Sequence, residues 1–126
     1  MSPKKENIVS PEIAYVVIDM MMDVVTRGTG TKAATPGTQV AGKTGTTNDC
    51  RDAWFCGFTP SVQTLVWFGN DDNKPLPGKM TGSVVAAPVF ARYNAAVLNF
   101  RPSSKREFYS PDGVLKGGTE EVETNE

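Results

Sequence analysis

A single lysine is set among hydroxyls and glycines in the run Val40-Ala41-Gly42-Lys43-Thr44-Gly45-Thr46-Thr47. Its ammonium is a compact point charge with three donors, and glycine lets a ligand come close to the backbone. Such a stretch can bind an anion, or steady negative charge that develops during a reaction. Two chemistries compete for it. On a strand beside a cleft, Lys43 would put positive charge on the rim, with the Thr44 and Thr46 hydroxyls close by. In a phosphate loop, Gly37, Gly42, Lys43 and Thr44 would serve, because they stand at Walker A spacing. Leu65-Val66-Trp67-Phe68 leading to Asp71 and Asp72 then imitates a Walker B strand.

Composition narrows the field. The 126 residues carry a net charge of −1 and no histidine. No basic stripe marks a nucleic-acid surface. Without histidine, the usual Ser-His-Asp and Cys-His arrangements and most zinc sites are excluded within the chain, and any general base is a lysine or a carboxylate. No metal site and no cofactor is expected. Cys50 and Cys56 flank an extended-looking segment whose ends would lie ~20 Å apart, beyond the ~7 Å limit for a disulfide. Both read as free thiols, and nothing near Cys50 marks it as reactive. No apolar run reaches the ~18 residues of a membrane span, so no membrane contact is expected of this segment.

Elements must position the lysine. Residues 1–9 read as a flexible start. Ser10-Pro11-Glu12 opens a helix with a capping hydroxyl, a first-turn proline and an acid near the positive end. Ile13, Val17, Met20, Met21 and Val24 follow at helical spacing, which predicts the core face. Arg27 and Gly28 supply the last turn and the cap. Residues 29–39 read as a loop, with a type II turn at Thr35-Pro36-Gly37-Thr38 that accounts for Gly37 without a phosphate. Three strands follow: a polar edge strand over 40–47, a central strand over 53–58, and a third over 62–68, also expected to be central. Short loops at 47–51 and 59–61 make them an antiparallel meander. A loop over 69–82 and a helix over about 84–99 come next, with Val89, Tyr93, Ala96, Val97 and Phe100 as the stripe predicted to cross the sheet. Residues 101–126 form a polar tail that ends in acids and is expected to be disordered. Trp54, Phe55, Trp67 and Phe68 read as core, Asp71 and Asp72 as a solvated loop, and Asp52 as a cap on the first hairpin.

Context decides between the two lysine chemistries. A Walker A loop follows a buried strand and opens a helix. Ala33-Ala34-Thr35-Pro36 is no core strand, and Thr44-Gly45-Thr46-Thr47-Asn48-Asp49 is a poor helix start. A strand therefore holds Lys43. Beyond that point the pattern is specific. Arg27-Gly28-Thr29-Gly30, Gly42 to Asp49, Asp52-Ala53-Trp54-Phe55, Gly57-Phe58-Thr59-Pro60, Val66-Trp67 and Ala86-Ala87-Pro88 together resemble the transpeptidase domain of class A penicillin-binding proteins, over residues 10–100.

The resemblance implies an α+β domain of the β-lactamase/transpeptidase type, with a five-stranded sheet of which this chain supplies three strands. It implies serine acyl transfer that cross-links peptidoglycan stem peptides on the periplasmic side, with β-lactams trapping the same serine. In that scheme Lys43 brings charge and assists proton movement. Thr44 and Thr46 hold the terminal carboxylate, Gly45 keeps the strand flat against the ligand, and the Thr46 N–H is an oxyanion donor. The nucleophile motif Ser-x-x-Lys on a buried helix is missing, as is Ser-x-Asn; Ser2-Pro3-Lys4-Lys5 matches the first by letters only. The chain is therefore expected to be the C-terminal part of the domain, inactive alone, with the N-terminal half of the domain or a second copy as its partner. A non-catalytic binding or assembly module of the same fold is the alternative function, and a nucleotide binder the remote one.

Overall fold

The computed structural model describes residues 2–115. Residues 2–9 are exposed and carry no helix or strand. Helix α1 spans Pro11–Arg27 and begins as its sequence dictates: the Ser10 hydroxyl accepts from the Ile13 N–H at 3.3 Å, with Pro11 in the first turn. It ends at Gly28, whose N–H donates to the Val24 carbonyl. A side chain there would lie 2.9 Å from Val24 Cα, so the stop is set by crowding as much as by flexibility.

Three strands follow: β1 (Ala41–Thr46), β2 (Asp52–Phe58) and β3 (Gln63–Gly69). They pair as an antiparallel meander in the order β1-β2-β3. Lys43 lies opposite Cys56, and Cys56 opposite Leu65; one step along, Thr44, Phe55 and Val66 are in line. Side chains alternate between faces, so this register sorts them. Thr44, Thr46, Ala53, Phe55 and Val66 look to one side, and Lys43, Trp54, Cys56, Leu65 and Trp67 to the other.

The first side is the core. Phe55 is fully buried against Val25, Ala33, Val40, Ala86, Ala87 and Phe90, with Val66 packed at the border. The Phe55 and Phe90 rings meet edge to face at 4.8 Å, a favoured aromatic geometry. Phe55 also lies over the Gly42–Gly57 pair, where a side chain on either glycine would come within 2.6 Å of its ring. The helix over this face begins as a π-turn at Gly82–Ala86 and continues as α2, Ala87–Phe100.

Several expectations need correction. On α1, Ile13, Val17 and Met20 are exposed, together with Val16, while Tyr15 and Val25 are buried. On α2, the buried residues are Ala87, Phe90, Asn94 and Leu98, whereas Val89, Tyr93 and Phe100 face outward. Periodicity finds an apolar stripe but does not say what covers it; these two stripes are uncovered by residues 2–115. Among the described residues strand β3 is an edge, with β2 as its single neighbour in the sheet, and Leu65, Trp67 and Phe68 are 59%, 46% and 37% exposed. Within the expected tail, residues 101–115 make contacts with the body of the fold. The Gln39 N–H donates to the Arg106 carbonyl at 2.8 Å, the Phe108 N–H to the Gln39 side chain at 2.7 Å, and Phe108 stacks edge-on against Phe58. An apolar Phe108, packed on Phe58 and hydrogen-bonded to the Gln39 side chain, holds the polar stretch around it in place. The rest of the expected tail, 116–126, lies outside the described residues.

Candidate active-site wall

Among the described residues strand β1 has one neighbour, so its other side is an open edge. Which groups face that edge follows from one hydrogen bond. The Thr47 N–H donates to the Asp52 carbonyl at 3.0 Å, making Thr47–Asp52 a hydrogen-bonded pair. Antiparallel pairs alternate, so Gly45–Trp54 and Lys43–Cys56 are hydrogen-bonded too. Thr44 and Thr46, opposite Phe55 and Ala53, therefore turn their N–H and C=O groups outward.

Side chains complete the edge. Lys43 is exposed, and its ammonium donates to the Thr44 carbonyl at 3.1 Å and lies 3.5 Å from the Thr44 hydroxyl. Although residues 43 and 44 start on opposite faces, the long lysine stem curls round the edge and brings the charge to the hydroxyl. Thr44 shares a 2.7 Å hydrogen bond with Thr29. The Thr46 hydroxyl accepts from the Gly82 N–H at 3.1 Å, which leaves its own proton to donate elsewhere. Gly45 lies between them with no side chain to lift a ligand off the strand, and β1 ends at Thr46. The edge thus offers an ammonium, hydroxyl protons and an outward N–H, the groups that meet a carboxylate or an oxyanion.

Two structures brace this edge. Gly82 starts the π-turn hard against the β1–β2 ladder: a Cβ there would fall 2.1 Å from the Trp54 carbonyl oxygen and 2.8 Å from that of Gly45. At the hairpin end, Thr47 accepts from the Asp52 N–H at 2.9 Å, and the Asp52 carboxylate receives the Trp67 indole N–H at 2.9 Å. The Thr47 hydroxyl also donates to the same carboxylate at 3.4 Å, so Asp52 ties the end of β1, β2 and β3 together. The turn between needs this lock, because Asp49 and Cys50 both have positive φ (65° and 51°), an unfavourable region for side chains.

The predicted site residues Lys43, Thr44, Gly45 and Thr46 thus fall on one edge. Lys43 is mid-strand and does not open a helix, so the phosphate-loop geometry is absent. Asp71 and Asp72 are exposed on the loop, Asp72 paired with Lys74 at 2.6 Å. Cys50 and Cys56 are free thiols. Ser2 is exposed and lies outside any helix. Sequence reasoning missed Thr29, Gly82 and the Asp52–Trp67 bond. Thr29 had a signal, a hydroxyl between two glycines just past a helix end; the contact made by Gly82 spans 36 positions and leaves no local trace.

Comparison with known proteins shows the family. The family model described as "Penicillin binding protein transpeptidase domain" matches residues 1–95. Penicillin-binding protein 1A of Neisseria lactamica is 42% identical over 113 residues, covering 89% of this chain and 14% of that protein. The proteins of the same name from Pseudomonas aeruginosa and Aquifex aeolicus are 42% and 41% identical, over 87% and 90% of the chain. This chain thus spans about a seventh of the length of these relatives. A crystal structure from Atopobium parvulum DSM 20469, of a protein named for peptidoglycan glycosyltransferase activity, superposes with a TM-score of 0.64 at 25% identity, covering 79% of this chain and 26% of that one. The α+β meander described above is an incomplete transpeptidase-like fold, and the chain belongs to the penicillin-binding protein transpeptidase domain family.

Proposed function

We propose that the free edge of β1 is the substrate-carboxylate wall of a peptidoglycan D,D-transpeptidase whose nucleophile lies elsewhere in the full-length protein. In this reading the Thr44 and Thr46 hydroxyls donate to the terminal carboxylate of a stem peptide or of a β-lactam. Lys43 supplies the compensating charge and helps move protons. The outward Thr46 N–H is one of the donors that meet the oxyanion as the carbonyl is attacked. Gly45 lets the acyl group lie flat on the strand. Among the described residues no Ser-x-x-Lys motif lies on a helix, and in this reading the chain alone binds without acylating. The whole protein works on the extracytoplasmic face of the membrane, where its substrate is.

The observation that carries the reading is the alternation along β1, which sends the Thr46 N–H away from β2 while both threonine hydroxyls stay beside it. A donor aimed at an oxyanion is worth roughly 3–4 kcal/mol of barrier, and each hydrogen bond to a carboxylate about 1.5–3 kcal/mol. The test is acylation of the full-length protein by a fluorescent penicillin. Lys43→Ala should label about a hundredfold more slowly or worse. Since Lys43 is exposed, its stability should change by less than about 0.5 kcal/mol, so the loss is not unfolding. A wild-type protein that never labels, or a variant that labels as fast as wild type, overturns the proposal.

The same reading gives β3 a partner. Its open edge carries Leu65 and Trp67, and an apolar unpaired edge invites another strand. The rest of the transpeptidase domain supplies that strand, and in its absence a second copy does. Sedimentation of the isolated chain should therefore show association that strengthens with concentration. A stable dilute monomer whose β3 amides are protected from exchange would contradict this.

A further inference from the structure

From the contact between two hydroxyls, and resting on the function just proposed, we infer that Thr29 is a positioning residue that aims the Thr44 proton at the bound carboxylate. Thr29 and Thr44 are 15 positions apart and meet at 2.7 Å, a short hydroxyl–hydroxyl hydrogen bond. The turn that presents Thr29 is built for close approach. The N–H groups of Gly28 and Gly30 both return to the Val24 carbonyl, at 3.1 and 2.9 Å. A Cβ at Gly28 would press on Val24 Cα at 2.9 Å, and one at Gly30 on both Phe55 and Val24 at 3.2 Å. The glycines therefore seat the end of α1 against the core, and the residue between them is delivered to the β1 edge. Thr29 is itself exposed, so the pair lies open to a ligand.

Proton counting gives the direction. A hydroxyl has one proton and two lone pairs. The Lys43 ammonium, 3.5 Å from the Thr44 oxygen, carries only donors, so it favours Thr44 as an acceptor. Thr29, donating to the second lone pair of Thr44, fills its accepting capacity. The Thr44 proton then has no internal acceptor in this pair and points to the open edge. Without the Thr29 hydroxyl, the Thr44 proton is free to rotate, and the donor must be oriented by the ligand at the moment of binding. Thr29 thus acts through Thr44 and contributes only where an anion is held.

The experiment uses the full-length protein, a fluorescent penicillin, and the same penicillin as its methyl ester, with the second-order acylation rate constant as the readout. Thr29→Val keeps shape and removes the hydroxyl. It should slow acylation by the free acid roughly tenfold, leave the ester rate at the wild-type value, and be restored by Thr29→Ser. Thr29→Val on a Thr44→Val background should cost nothing more, because the two act as a unit. Equal loss with acid and ester, failure of Thr29→Ser to restore the rate, or an additive double variant each overturns the inference. The underlying function is judged separately. If wild type labels and Lys43→Ala does not, while Thr29→Val labels as wild type, only the role of Thr29 falls; if wild type never labels, the transpeptidase reading falls first.

Discussion

Replacing Gly82 by alanine separates a structural demand from ordinary backbone economy. Glycine-to-alanine changes usually stabilise by about 0.4–1 kcal/mol, because alanine narrows the unfolded ensemble. At Gly82 the sign should reverse. The new methyl would sit 2.1 Å from the Trp54 carbonyl oxygen and 2.8 Å from that of Gly45, both backbone atoms of a paired ladder that cannot rotate away. Relief requires the start of the π-turn to withdraw by about 1 Å to reach ordinary contact. Overpacking of this kind costs about 1–3 kcal/mol. The same withdrawal stretches the 3.1 Å bond from the Gly82 N–H to Thr46, a loss of about 1 kcal/mol more. The expected total is roughly 2–4 kcal/mol of destabilisation. Gly45→Ala is the comparison: its Cβ would lie 3.4 Å from Trp54 Cβ, an ordinary contact, and it should leave stability unchanged or slightly raised. Urea unfolding followed by fluorescence of Trp54 and Trp67 reads both. If Gly82→Ala is neutral or stabilising, the docking of the π-turn on the β1–β2 ladder is wrong, and with it the explanation of how the Thr46 hydroxyl is held.

Two further outcomes follow from the side-chain network. Trp67→Phe keeps an aromatic ring beside Trp54 but removes the indole donor to Asp52. At a half-exposed site this should cost about 1 kcal/mol and loosen the hairpin, read as faster amide exchange at Thr47; unchanged exchange there would show that the three-strand tie is not holding the loop. On the loop, the hydrogen bond from Lys74 holds the Asp72 carboxyl below its usual range. A lowered folded value means the contribution is present above the ordinary carboxylate range and is lost as the pH falls through the folded value. Wild type and Asp72→Asn should therefore differ slightly in melting temperature at neutral pH and converge in acid, and a gap that widens on acidification would refute the pairing.

Much of this fold could be read from local chemistry, and the reasons are visible residue by residue. Ser10-Pro11 fixes the start of α1, and the short turns over 47–51 and 59–61 leave little choice but hairpins. The Lys43 segment was legible because a glycine-bearing, hydroxyl-rich strand suits an edge and no helix. What failed was orientation. Ile13, Val17 and Met20 on α1, and Val89, Tyr93 and Phe100 on α2, satisfy helical periodicity as well as the truly buried Tyr15, Phe90 and Leu98 do. An apolar stripe reports that something covers a face, and the covering group need not belong to the same stretch of chain. Phe108 was missed for the converse reason: a lone aromatic in a polar run gives no periodic signal, yet Phe58 and the Gln39 side chain are enough to seat it.

The two open edges of the sheet make the same point about function. Backbone groups are unpaired along both β1 and β3, and in isolation each edge would template another strand. Their side chains differ in kind. Beside the β1 edge stand Lys43, Thr44 and Thr46, with Gly45 leaving room; at β3 stand Leu65 and Trp67. An incoming strand at β1 would displace the contacts of Lys43 with Thr44 and compete with hydroxyls that already have partners in Thr29 and Gly82. An incoming anion would use the same groups without displacing them, since the Thr29–Thr44 pair and the Thr46 hydroxyl each still have a proton to give. At β3 the balance is opposite, because a carboxylate would find leucine and an indole whose N–H is already given to Asp52, and a strand would find apolar surface to bury. In the function proposed above, the side chains suit the unpaired edge of β1 to a small charged ligand and that of β3 to another strand.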